Sequence, residues 1–109
     1  MNESPFLLIK SLQTQILGIL RQFDTLDFEA GERKLIVSIK HDLADARLDI
    51  RDYELSETRD EQLRKAKEAR KRLEKIRKEI LAASEYNVFS AIDVAQLTAQ
   101  LEGIIARLI

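Results

Sequence analysis

The sequence predicts an all-α protein, an antiparallel up-down-up-down four-helix bundle with a long central hairpin of helices 2 and 3. The 109 residues include one proline and three glycines and are rich in helix-favouring residues. Between about residues 28 and 86, apolar residues recur at alternating steps of three and four. Only short polar segments interrupt the pattern, so sequential helices should be antiparallel neighbours in one domain covering 1–109.

Helix 1 is expected from Pro5 to about Phe23. Ser4 can cap this helix, and Pro5 suits the first helical position, where the missing N–H of proline is not needed. The segment 24–27 is expected to form the following turn. The apolar stripe of helix 1 consists of Ile9, Leu12, Ile16, Ile19, Phe23 and, beyond its end, Leu26.

Helix 2 is expected from about Phe28 to Tyr53, and helix 3 from Thr58 to about Glu85. Thr58 and Glu61 have the spacing of a capping box, which would start helix 3 after a turn at 54–58. Both helices carry apolar heptad stripes that can face each other. These stripes are Ile36, Ile39, Leu43, Ala46, Ile50 and Tyr53 on helix 2, and Ala66, Ala69, Leu73, Ile76, Ile80 and Ala83 on helix 3.

The register of this hairpin follows from a fold-back at Ser56. It pairs Ile39 with Leu73 and Ile36 with Ile76, which are apolar layers of an antiparallel pair. The same register places charged residues of opposite sign along one flank. The expected ion pairs are Asp42 with Arg72 and Asp49 with Lys65.

Helix 4 is expected from about Ser90 to the C-terminus. Asn87 can end helix 3 in a left-handed conformation, and Ser90 with Asp93 resembles a second capping arrangement. The apolar stripe of helix 4 consists of Val94, Leu97, Leu101, Ile104 and Leu108.

Composition excludes several functional classes. The chain has no cysteine, which rules out disulfides, thiolate nucleophiles and thiolate metal sites. A net charge of −1 argues against polyanion binding by the whole surface. Lys10 interrupts the first apolar run, and no run approaches the roughly 18 apolar residues of a membrane span. We therefore expect a cytoplasmic protein without a membrane segment.

The lone histidine offers a possible metal site with Asp45, because the two residues share one helix face. A solvated surface histidine is the favoured interpretation, since there is no second histidine and the facing flanks of helix 3 are basic. We therefore predict no metal and no cofactor. We also assign no catalytic residue, since no nucleophile–base pair and no glycine-rich phosphate loop is present.

Four acids of helix 2 permit an enzymatic alternative. Glu29 with Glu32, and Asp42 with Asp45, resemble the paired acidic motifs of the all-α nucleotide pyrophosphohydrolases. In that family such acids hold magnesium against a triphosphate, so the resemblance implies a magnesium-dependent nucleotide hydrolase. The likeness covers only these residues, and here both motifs lie on one helix, about 20 Å apart, rather than on successive helices.

Segment 59–78 permits a second alternative, binding of nucleic acid or another polyanion. Its lysines and arginines outnumber its acids, as in a nucleic-acid-binding helix. No aromatic residue is interleaved for base stacking, and Glu–Lys and Glu–Arg pairs at helical spacing suit an ordinary solvated face. The sequence therefore favours the solvated face.

The favoured function is a non-catalytic interaction module that binds a protein partner through the charged hairpin. Arginine predominates on the flank opposite the expected ion pairs, and its planar fork suits carboxylates and phosphates. The candidate partner-binding residues are Arg33, Lys40, Arg47, Arg70 and Arg77.

Self-association as a homodimer is also expected. Helices 2 and 3 should extend beyond the shorter helices 1 and 4 by roughly 10 Å at the 54–58 turn. Residues there would lack intrachain cover, and helices 1 and 4 carry apolar residues beyond one stripe. The candidate residues are Ile50, Tyr53, Leu55 and Leu63 at the turn, and Leu8, Leu17, Ile105 and Ile109 elsewhere.

Overall fold

The computed structural model describes residues 4–22, 30–85, 89 and 91–108, which form four helices. These are α1 (Pro5–Gln22), α2 (Ala30–Leu55), α3 (Arg59–Ser84) and α4 (Ala91–Arg107). Each helix packs against its neighbours in the chain, α1 also packs against α4, and the α2–α3 contact is the most extensive. The predicted four-helix bundle with a central hairpin is confirmed.

Two of the predicted helix starts are confirmed by their capping hydrogen bonds. Ser4 Oγ accepts the N–H of Leu7 at 3.2 Å, and Thr58 Oγ1 accepts the N–H of Glu61 at 3.2 Å. Each bond satisfies a backbone donor that has no partner within its helix. The expected turn at 24–27, Asn87 and Ser90 lie outside the described residues.

The core consists of the predicted apolar stripes. All twelve stripe residues of the hairpin are buried, from Ile36 to Tyr53 on α2 and from Ala66 to Ala83 on α3. Helices α1 and α4 contribute Ile9, Leu12, Ile16, Leu97, Leu101, Ile104 and Leu108, with Val94 half-buried against them. Phe89 is also buried, although no stripe includes it. The side chain of Ile19, with Phe23 and Leu26, lies outside the described residues.

The ion pairs of the hairpin lie on the predicted flank but join different partners. Lys65 Nζ lies 3.7 Å from Asp52, and Arg72 Nε lies 2.7 Å from Asp49. The predicted pairs of Lys65 with Asp49 and of Arg72 with Asp42 were wrong. Long helical side chains lean toward the N-terminus of their helix, and the N-terminus of α3 lies at the turn. Each cation therefore reaches an acid nearer to the turn.

Helix α1 covers α2 as far as the hairpin turn. The N–H of Phe6 donates to Glu54 Oε1 at 3.1 Å, which places the start of α1 beside the end of α2. Ile50 is 0% exposed and Tyr53 7% exposed. The expectation that these two residues lack intrachain cover was wrong. It assumed that α1 and α4 both end short of the turn, whereas α1 extends along α2 as far as the turn.

Helix α4 stops short of the turn, so the hairpin overhangs on this side. Arg70 donates from its guanidinium to the carbonyl oxygen of Leu108, just after α4 ends. The segment 59–69 of α3 therefore extends past α4 by about 16 Å of helix. Leu63 lies one heptad before Arg70 on the same flank, within the overhanging segment, and is 41% exposed.

Among the described residues, no helix has both the length and the hydropathy needed to cross a membrane.

Candidate interaction surface on the second helix

The five predicted partner-binding residues do not form one continuous row. Lys40 and Arg47 lie on the flank of α2 that faces α1, where they line a groove of about 270 Å³ together with Lys10 and Thr14. Arg47 Nη1 donates to Gln13 Oε1 of α1 at 3.3 Å. The side chain of Arg33 lies outside the described residues.

Arg70 and Arg77 lie on the other side of the hairpin, along the flank of α3 that faces α4. Arg70 binds the end of α4, as described above, and Arg77 pairs with Glu74 at 2.8 Å and with Glu102 of α4 at 3.3 Å. In an isolated hairpin of α2 and α3, these basic residues would share one flank. In the bundle, however, α1 packs beside α2 and α4 packs beside α3. The packing of the outer helices therefore divides the predicted row into two pairs.

The predicted self-association residues are also dispersed. Leu8 and Ile105 are half-buried and pack against the core, and Leu17 lines the α1–α2 groove. Ile109 lies outside the described residues. Leu55 and Leu63 remain as exposed apolar residues near the turn, at 67% and 41% exposed.

A cluster of carboxylates lies at the solvent edge between α2 and α3. Ser38 Oγ donates to Glu79 Oε2 at 2.7 Å, and Lys75 Nζ lies 3.2 Å from Asp42 Oδ2. Burial raises the pKa of Glu79, and a hydrogen bond with the neighbouring Asp42 raises it further. Burial alone would raise the pKa of Asp42, but hydrogen bonds from Glu79 and Lys75 and nearby positive charge outweigh burial and lower it. Glu79 therefore keeps its proton to a higher pH than an isolated glutamate would, and Asp42 loses its proton at a lower pH than an isolated aspartate would.

Three side chains of this edge have metal-ligating atoms close together. The ligand atoms of His41, Asp42 and Asp45 lie within 4.8 Å of one another. Asp45 is 3.4 Å from the exposed His41 and 3.5 Å from Arg72, and Asp42 is paired with Lys75. Because side-chain cations already neutralise both acids, the geometry favours a charge-paired edge over a metal centre.

The unbroken course of α2 bears on the resemblance to nucleotide pyrophosphohydrolases. Helix α2 runs without a break from Ala30 to Leu55, so Gly31 does not bring the two acidic pairs together. Glu32 and Asp42 are separated by about 15 Å along one helix. Glu29 lies outside the described residues. This arrangement does not favour a shared magnesium ion.

An open groove of about 700 Å³ lies along the solvent side of α3. Its lining residues are Glu68, Lys71, Arg72, Glu74, Lys75 and Lys78. Arg72 and Lys75 bind acids of α2, whereas Lys71 and Lys78 form no ion pair with a described residue. The outward face of α3 therefore carries two lysines that have no acidic partner among the described residues.

The exposed face of α2 carries a second apolar stripe opposite the core. Val37, Leu48 and Leu55 are 63%, 51% and 67% exposed and lie on one line along the helix. This outer stripe consists of Val37, His41, Ala44, Leu48, Arg51 and Leu55, whose positions alternate in steps of four and three. The spacing is that of a heptad seam. Sequence reasoning missed Val37 and Leu48 because it followed one apolar stripe per helix, although the second repeat was visible in the spacing.

Charges of opposite sign border the outer stripe. Lys40 and Arg47 follow the edge toward α1, and Asp45 and Asp52 follow the edge toward α3. The side chains of Asp45 and Asp52 are 39% and 55% exposed, so they remain accessible beside their α3 partners. An apolar seam between a basic edge and an acidic edge is a typical helix-docking surface.

The chain was compared with models of protein families, with curated proteins and with solved structures, and none of them matches it. The fold and this surface define a small helical bundle with an exposed heptad face on α2.

Proposed function

We propose that the protein is a non-catalytic interaction module that self-associates and binds a protein partner through the outer stripe of α2. The observation that carries the proposal is the alignment of Val37, Leu48 and Leu55, all more than half exposed, on one helix face. Scattered exposed apolar residues are ordinary, whereas an aligned set marks an interaction site. An amphipathic helix docks through side chains at this spacing.

The expected association is reversible. A contact made mainly by one helix from each molecule falls short of the about 1,000 Å² that a stable interface buries. The stripe also contains His41 and Arg51, and polar residues in a heptad seam specify a partner at the expense of stability. We therefore expect the oligomeric state to depend on protein concentration.

Sedimentation velocity with a stripe variant and a matched control tests the proposal. Leu48→Glu places a charge in the middle of the stripe, whereas Leu81→Glu changes an equally exposed leucine of α3, at 48%. From about 10 µM to about 1 mM, the parent and Leu81→Glu should associate and Leu48→Glu should remain monomeric. Circular dichroism checks that both variants are folded.

Two results together would overturn the proposal. One is a monomeric parent protein across the whole concentration range. The other is the absence of any protein adduct when a photo-crosslinking side chain replaces Leu48 in the native cell. A stripe that meets no other protein under either condition is an ordinary solvated surface.

Binding of nucleic acid or another polyanion is a second candidate function, which the open groove on α3 favours. Lys71 and Lys78 line this groove without an acidic partner among the described residues. Retention on an anionic resin should then fall with salt, and Lys71→Glu with Lys78→Glu should weaken it. The matched control is Lys10→Glu, which changes a lysine of α1. Equal retention of the control and the double variant would exclude a site on α3.

A further inference from the structure

We propose that the occupant of the outer stripe is a second copy of this chain, with the two α2 helices parallel and in register. This inference rests on the proposed function, because it names the partner of the same surface. It follows from the two charged edges of the stripe, which complement each other only in one orientation.

The stripe fits the heptad positions of a parallel pair. Alternating steps place His41, Leu48 and Leu55 at a positions, and Val37, Ala44 and Arg51 at d positions. In a parallel pair each of these residues faces its own counterpart in the second copy. The leucine and valine layers then bury side chains that are more than half exposed in the single chain.

The edges provide the pairing charges. In a parallel pair, a g residue faces the e residue five positions later in the other helix. Lys40 then faces Asp45 of the second copy, and Arg47 faces Asp52 of the second copy. Twofold symmetry repeats both contacts. The arrangement therefore joins four pairs of unlike charges along the edges. Its one like-charge contact is in the seam, where Arg51 faces Arg51 of the second copy.

An antiparallel pair uses the same edges less well. Overlap of the whole stripe places Arg47 opposite Arg47 of the second copy, and Asp45 opposite Asp45 of the second copy. Lys40 would face Glu54, whose carboxylate already accepts the N–H of Phe6. Like charges at these positions disfavour the arrangement, so charge selects the parallel one.

The bundle leaves room for this contact. Helices α1 and α3 pack on the two flanks of α2, and α4 contacts α1 and α3. Helix α2 is therefore a corner of the bundle, and its outer stripe points away from the other helices. Lys40 is exposed, and Asp52 is held by Lys65 only at 3.7 Å, so both edges can be reached.

Reversing the edge charges tests the orientation. Arg47→Glu and Asp52→Arg, made singly, should each weaken self-association by about tenfold or more, because each creates two like-charge contacts. The double variant carrying both changes should recover association, since the unlike pairs re-form with exchanged signs. The matched control Arg64→Glu changes an exposed cation of α3 and should leave association unchanged. An unchanged Arg47→Glu variant, or a double variant no stronger than the single ones, would overturn the parallel pairing.

Cysteine crosslinking gives an independent test, because the natural chain contains no cysteine. Ala44→Cys should form a disulfide-linked dimer under mild oxidation, since residues at d meet their counterparts across the twofold axis. Lys71→Cys on α3 should not. If Ala44→Cys fails to crosslink with itself but crosslinks with Leu48→Cys, the pairing is antiparallel. If self-association is lost in Leu48→Glu but neither cysteine result appears, the proposed function stands and the parallel pairing is wrong.

Discussion

Replacing Glu79 by glutamine should stabilise the folded protein at about pH 7 and have little effect at about pH 4. The folded-state pKa of Glu79 is raised by burial and by Asp42. Its protonated form therefore stabilises the fold below the ordinary pKa of glutamate, and this contribution is lost as pH rises through the raised value. Glutamine resembles the protonated glutamate in shape and stays neutral at every pH, because its amide donates without titrating.

The magnitude follows from the charges at this edge. As a scale, two unit charges at about 4 Å repel by about 4 kcal/mol at an effective dielectric constant of about 20. Lys75 Nζ, 3.2 Å from Asp42 Oδ2, offsets much of this repulsion, and water screens the rest. We expect a net gain of about 1 kcal/mol at neutral pH, or a melting temperature higher by about 4 °C.

Urea denaturation of the parent and of Glu79→Gln at both pH values measures this gain. The matched control is Glu68→Gln, because Glu68 is 49% exposed and its one ion pair with a described residue is with Lys65, at 3.6 Å. Its removal should change the unfolding free energy by no more than about 0.5 kcal/mol at either pH. Asp42 has the opposite pH dependence, because its folded-state pKa is lowered. Its charged form stabilises the fold above the ordinary pKa of aspartate, and this contribution is lost as pH falls through the lowered pKa. A gain that was equal at both pH values, or a loss at about pH 7, would refute the carboxyl pair as its cause.

Four further substitutions, two of them with a matched control, probe other parts of the bundle by thermal or urea unfolding. Gly18→Ala and Gly103→Ala should each stabilise by about 0.5–1 kcal/mol, because both glycines lie within helices and an added methyl group meets no heavy atom within 4 Å. Destabilisation by either would contradict this geometry. Thr58→Ala should cost about 1 kcal/mol by removing the N-cap of α3, whereas Thr58→Ser should preserve it. Leu73→Ala should cost about 3 kcal/mol at a fully buried site, and Leu81→Ala, at 48% exposed, less than about 1 kcal/mol.

The sequence predicted the core of the hairpin residue by residue because the heptad spacing constrains each helix locally. Position 43 lies seven residues after 36 and four after 39, so burying any one of these residues orients the others. Helix caps are equally local, which is why Ser4 and Thr58 could be assigned. Such features depend on neighbours in the chain and not on how the bundle closes.

The partner-binding flank could not be predicted in the same way. Whether Lys40 and Arg77 share a surface depends on where α1 and α4 pack. The heptad pattern of α2 and α3 does not determine the positions of these outer helices. The ends of the outer helices matter too. Helix α1 begins beside Glu54 and buries Tyr53, whereas α4 ends near Arg70 and leaves Leu63 exposed. Helix lengths alone predicted an equal overhang on both sides.

The acids of α2 differ in how tightly the hairpin holds them, and this difference supports a division of roles. Asp49 is 17% exposed and lies 2.7 Å from Arg72, the geometry of a strong charge-assisted hydrogen bond. Asp45 and Asp52 are more exposed, and their α3 partners lie at 3.5 and 3.7 Å. Of these three acids, Asp49 is therefore held most tightly to α3, whereas Asp45 and Asp52 can turn toward a second molecule at little expense. Asp45 and Asp52 can therefore form or lose contacts with a second molecule while Asp49 stays paired with Arg72, so that association can change without loosening the fold.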